Sequence, residues 1–82
     1  MAANLVTIRF FAAAKAVTKS AHIEVSATTL GQALDLATGQ FPNLADVLPK
    51  CSYLINGQSA KAFESILKND DVVDVLPPFA GG

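Results

Sequence analysis

Only one segment of this 82-residue chain repeats its apolar residues at helical spacing: Leu30, Ala33, Leu34 and Ala37. Residues three and four apart stack along one side of a helix, so these four form a stripe that must be buried against another element. No second stripe of that kind is available as a helical partner. The rest of the chain reads in the other period. Val6, Ile8 and Phe10 alternate with Leu5, Thr7, Arg9 and Phe11 across residues 4–12, which predicts a strand. Residues 21–27 (AHIEVSA), 52–56 (SYLIN), 61–63 and 72–76 (VVDVL) add four more strand candidates. The order β-β-α-β-β-β predicts a two-layer α+β domain, a mixed sheet of four to five strands packed on one main helix. Without repeats or a linker, residues 1–82 are expected to form one domain with a flexible C-terminal tail at 77–82.

The same alternation assigns faces. Val6, Ile8 and Phe10 are the expected core set, because the opposite set contains Thr7 and Arg9. Phe11 is then left pointing away from the core, as a contact for a neighbour or a partner. Residues 12–17 are alanine-rich and predict a short helix. Thr28 or Thr29 is a suitable cap for the main helix, and Gly39 a suitable stop. Residues 41–49 contain two prolines and read as an irregular connection with Leu44, Val47 and Leu48 tucked under. Asn56-Gly57 is a strong two-residue turn signal. Phe63 and Leu67 are expected in the core, Cys51 buried or half-buried, and His22, Lys15, Lys61 and Lys68 in solvent.

Composition excludes several functions. With 51% hydrophobic residues a core is feasible, and disorder is not expected away from the ends. Six Lys/Arg are scattered among seven Asp/Glu, leaving neither the basic stripe nor the aromatic platforms that nucleic-acid binding requires. Cys51, the only cysteine, has no partner for a disulfide, and no cluster has metal-ligand spacing, so no metal is expected. No basic stretch leads into an apolar one near Met1, and no apolar run approaches membrane-spanning length. A soluble, cytoplasmic protein is the expectation, with no membrane partner.

The most informative stretch is the last, LPPFAGG, residues 76–82. Pro77 and Pro78 fix φ at two successive positions and bias the backbone from Leu76 onward to extended forms. Phe79 offers one anchoring ring. Ala80, Gly81 and Gly82 thin the chain to nearly bare backbone, and the four residues past the prolines reach roughly 13 Å when extended. Such a tail fits a narrow slot in another protein. Its carboxylate is a poor electrophile, but adenylation with ATP would create a leaving group that sulfur could displace, leaving a thiocarboxylate on Gly82. The chain has no phosphate-binding loop and no catalytic cluster, so the activation belongs to partner enzymes and no active site of its own is expected. The bland alternative is a frayed end, since termini are often disordered.

Three stretches resemble the MoaD/ThiS family of sulfur carriers, and within it the small subunits of molybdopterin synthases. They are IRFFAAAKA (Ile8 to Ala16), YLINGQ (Tyr53 to Gln58) and LKNDDVVDVLPPFAGG (Leu67 to Gly82), in order and covering nearly the whole chain. The resemblance implies a ubiquitin-like β-grasp fold. It implies a cycle in which an E1-like adenylyltransferase activates Gly82 with ATP and a sulfurtransferase supplies sulfur. The tail then enters the molybdopterin synthase large subunit, two of each forming a heterotetramer, and cyclic pyranopterin monophosphate becomes molybdopterin. Gly82 is the implied sulfur-bearing end, Gly81 its slender neighbour, and Phe11 and Leu76 the implied docking patch. No cofactor is bound by the chain itself. Lys15 stands where Arg is usual, and Asn69-Asp70-Asp71 replaces Gly-Asp-Glu, with Asn69 expected to keep a left-handed turn. Carriers for cysteine or thiamine, a ubiquitin-like protein modifier and a binding module with an idle tail are the competing readings.

Overall fold

The structure, a computed structural model, describes residues 4–78. Nine segments follow one another: β1 (Leu5–Phe10), α1 (Ala12–Thr18), β2 (His22–Ser26), α2 (Leu30–Gln40), α3 (Leu44–Val47), a 3₁₀ turn (Leu48–Lys50), β3 (Ser52–Ile55), β4 (Gln58–Ala60) and β5 (Val72–Leu76). The five strands form one mixed sheet in the order β2-β1-β5-β3-β4. β1 pairs antiparallel with β2 and parallel with β5, so the first and last strands meet at the centre. This is the ubiquitin-like β-grasp, an α+β fold.

Burial follows the two periods. Val6, Ile8 and Phe10 of β1 and Val73 and Val75 of β5 turn to the helical layer, where Leu30, Ala33, Leu34 and Ala37 of α2 meet them, all buried. Thr29 caps α2, its Oγ1 accepting from the Gln32 N–H at 3.2 Å, while Gln32 Oε1 accepts from the Thr28 N–H at 2.8 Å. That reciprocal arrangement satisfies donors that a helix start otherwise leaves open.

Several boundaries differ from the sequence expectation. Gly39 lies within α2, which runs one residue further; the Phe41 N–H still donates to the Ala37 carbonyl at 2.9 Å before Pro42 ends the run. The connection after it is partly helical, and Leu44 is buried there. β4 occupies 58–60 rather than 61–63. The turn at Asn56 (φ 51°) and Gly57 (φ 84°) needs only two residues, so pairing resumes at once with Gln58 opposite Ile55. The left-handed residue near 69–71 is Asp70 (φ 72°), not Asn69, whose Oδ1 instead accepts from the Leu5 N–H at 2.9 Å.

Phe63 is not a core residue: it is 56% exposed, whereas Leu67 is buried as expected. The loop carrying Phe63 is pressed onto the start of α2, with the Leu30 N–H donating to the Ser65 carbonyl at 3.0 Å and the Gly31 N–H to the Phe63 carbonyl at 2.9 Å. The backbone of Phe63 thereby occupies the inward position, and its ring turns out to pack edge-on against Tyr53 at 6.3 Å. Gly31 permits this approach, since a Cβ there would lie 3.2 Å from the Phe63 Cβ.

Candidate functional site

The parallel pairing of β1 and β5 places their C-terminal ends on the same edge of the domain. Phe10 lies opposite Val75, and the Phe11 N–H continues the ladder by donating to the Val75 carbonyl at 3.1 Å. Two residues more than sixty positions apart, Phe11 and Leu76, are thus held on neighbouring strand ends, and Pro77 and Pro78 follow directly, both exposed. Phe11 is extended (φ −130°, ψ 152°) at the N-cap of α1, and 38% exposed. Its outward orientation agrees with the strand alternation. Leu76 is half-buried, opposite Ser52 on the face of the sheet away from the helices.

That outer face also holds a pair that the sequence reading did not single out. Arg9 and Asp74 are register partners across β1 and β5. Arg9 Nε donates to Asp74 Oδ1 at 2.6 Å and Nη2 to Oδ2 at 2.8 Å, a bidentate contact. The Arg9 guanidinium carbon stands 5.7 Å from the centre of the Phe11 ring, within cation–π range. Alternation puts Arg9 on the outer face of its strand, but that Asp74 stands beside it follows from the parallel register. Lys15, the position compared with a family Arg, is exposed on α1; the ion pair among the described residues is Arg9 with Asp74.

On the helical side of the same edge lies an apolar groove of about 410 Å³, lined by Phe11, Ala13, Val47, Cys51, Pro77 and Pro78 among others. Cys51 is half-buried, its Sγ 3.3 Å from the Val47 carbonyl, and burial pushes its thiol pKa up. A thiol held protonated is a poor nucleophile, and the lining around it is mainly apolar. The Tyr53 hydroxyl donates to the Leu48 carbonyl at 2.6 Å, and burial raises its pKa as well. Among the described residues no group of His, Cys, Asp or Glu is arranged to hold a metal ion, and no helix is long and apolar enough to cross a membrane.

Of the residues singled out from sequence, Phe11, Leu76, Pro77 and Pro78 therefore share one end of the sheet. Phe79, Ala80, Gly81 and Gly82 lie outside the described residues.

Comparison with known proteins places this arrangement. SAMP1 from Haloferax volcanii superposes with a TM-score of 0.83 at 26% identity, covering 95% of this chain and 99% of that one. The small archaeal modifier protein 1 from Methanosarcina acetivorans gives 0.86 at 22% identity over the full length of both, a likeness of fold. A chain from the complex of subunits 1 and 2 of molybdopterin-converting factor from Helicobacter pylori 26695 gives 0.72 at 27% identity, covering 95% and 99%. No curated protein matches by sequence. The ThiS family model matches residues 8–82, all but the first seven positions, and the chain belongs to that family of ubiquitin-like sulfur carriers.

Proposed function

We propose that this chain is the sulfur-carrying subunit of a molybdopterin synthase, bearing sulfur as a thiocarboxylate on Gly82. The observation that carries the reading is the convergence of Phe11 and Leu76 beside Pro77-Pro78, at the point where the chain continues into Phe79-Ala80-Gly81-Gly82. A partner seated on that edge receives the tail in a direction set by two residues of fixed φ. The likeness at 27% identity to a chain from a two-subunit molybdopterin-converting factor supports the same partner class, a large synthase subunit.

The chemistry divides between proteins. An E1-like adenylyltransferase transfers AMP from ATP to the Gly82 carboxylate with release of pyrophosphate. A sulfurtransferase persulfide attacks the acyl carbon and displaces AMP, and a thiol then reduces the resulting acyl disulfide, leaving the thiocarboxylate on Gly82. This chain contributes the carried carbonyl and a docking edge, and the large subunit holds the pterin. Gly81 and Gly82 have no Cβ, which lets the walls of a narrow tunnel close on the backbone. Ordering each tail residue costs about 1–2 kcal/mol, which contacts to Phe79 and the backbone must offset.

Deleting Gly82 tests this. Molybdopterin formation in a synthase reconstituted with sulfurated carrier should fall to background while the melting temperature is unchanged. Full activity of the truncated chain would remove the proposal. In the intact mass of protein purified from its own cells, a fraction with one oxygen replaced by sulfur is expected.

A second reading has its own support, the 26% identity to SAMP1, a small archaeal modifier protein. A modifier predicts conjugates of higher mass that vanish when Gly82 is deleted. Their absence, with a sulfurated terminus present, separates the two.

A further inference from the structure

The outer face of the sheet carries a half-used guanidinium fork with apolar side chains on one flank. A guanidinium has five N–H donors in one plane. Asp74 takes the edge formed by Nε and Nη2, and the guanidinium makes no other hydrogen bond among the described residues. The opposite edge, Nη1 with the remaining N–H of Nη2, is unpaired among them. Exposure is divided to match: the Arg9 side chain is 51% exposed and that of Asp74 only 8%. Asp74 is thus the inner partner that sets the plane of the fork, and Arg9 is the outer one.

The neighbours supply no second carboxylate in register. His22 of β2 lies directly across from Arg9, and Glu24 lies across from Thr7, one outward position further along. On the other flank Leu54 is opposite Asp74 and Leu76 follows on β5. The Phe11 ring closes the third side. A protein that covers Phe11 and Leu76 also covers Arg9, and the unpaired edge then loses its water. Leaving charged donors unpaired in an interface is costly, whereas a carboxylate meets such a fork in plane through two hydrogen bonds.

We infer that this face docks a protein surface presenting a carboxylate among apolar side chains, and that Arg9, held by Asp74, selects that partner. The inference rests on the docking reading above. Charge complementarity names the occupant's chemistry: an anion that is planar and two-pronged, in an apolar rim that Phe11, Leu54 and Leu76 match.

The test is affinity for the cognate synthase large subunit and, separately, for the cognate adenylyltransferase, by calorimetry at several salt concentrations. Arg9→Glu should weaken binding to at least one of them by about 30-fold or more. Arg9→Lys keeps a cation beside Asp74 but loses the fork, so it should fold normally and still weaken binding severalfold. Wild-type affinity should fall with added salt, and that of the uncharged Arg9→Gln less steeply, a difference that a purely structural role for Arg9 would not produce. Binding of Arg9→Glu and Arg9→Lys within twofold of wild type would overturn this inference alone. A wild-type chain that binds neither protein would remove the docking reading and this inference together. A wild-type dimer dissolved by Arg9→Glu would overturn it in favour of a second copy of the chain.

Discussion

The two faces of the sheet are made from alternate residues of the same strands, yet they hold to different standards. On the helical face Val6, Ile8, Phe10, Val73 and Val75 are all 1% exposed or less. On the outer face the same strands present Thr7 and Arg9 of β1 and Val72, Asp74 and Leu76 of β5, a mixture of polar, charged and half-buried apolar groups. Close packing leaves the first face no freedom, because a lost methyl leaves a cavity. Solvent leaves the second free to vary, and the proposed docking reading puts partner choice there. On that reading, the difference separates residues whose loss unfolds the domain from residues whose loss isolates it.

The sharpest way to break the comparison is to cut one residue from each face. Ile8→Ala should destabilise by about 2–5 kcal/mol in chemical denaturation, a large share of the stability of a small domain. A loss below about 1 kcal/mol would mean the helical face tolerates voids and the contrast fails. Asp74→Asn should lower the melting temperature less than Ile8→Ala, since only the inner half of that pair is buried. It should also weaken partner binding by freeing the Arg9 fork. Phe11→Ala should weaken large-subunit binding at least tenfold with a stability change of about 1 kcal/mol or less. The reverse pattern would move Phe11 into the core.

The smallest effect concerns acid. Asp71 accepts from the Lys68 N–H at 2.8 Å and from Asn56 Nδ2 at 2.9 Å, and these bonds hold its carboxyl below the ordinary carboxylate range. A carboxylate with a depressed folded-state pKa stabilises fully above its unfolded value, and that contribution is lost as pH falls through the folded one. Asp71→Asn should therefore flatten the acid limb of the stability curve slightly while leaving docking unchanged. An acid limb identical to wild type would show that the turn contributes nothing to it.

How far the chain could be read in advance depended on the range of the interaction. Period-two and period-3.6 patterns are local, and they located β1, α2, β3 and β5 and the faces that β1 and α2 bury. The Asn56-Gly57 turn is local too, since it depends on two residues that tolerate positive φ. The same locality misled at Gly39, which looked like a stop because glycine often ends helices. Nothing nearby in the chain shows that the turn continues to Gln40 before Pro42 forbids it. Phe63 misled for a different reason. Hydrophobicity alone predicts burial, but the hydrogen bonds from the start of α2 claim its backbone and exclude its ring.

The candidate site shows the same division. Phe11 was identifiable from strand parity, and the Pro-Pro exit from the sequence LPPFAGG. That Phe11 and Leu76 are neighbours, and that Arg9 faces Asp74 at 2.6 Å, follows from the parallel pairing of the first strand with the last. No local pattern encodes that pairing, because a strand's alternation is the same whichever neighbour it takes. Sequence alone determined which residues the first strand turns inward, the main helix that covers them, and the bare segment at the end. Tertiary structure decided which strands lie side by side, and therefore which outward residues make a common surface. The physical reason is that burial periodicity is a property of one element, while register is a property of two.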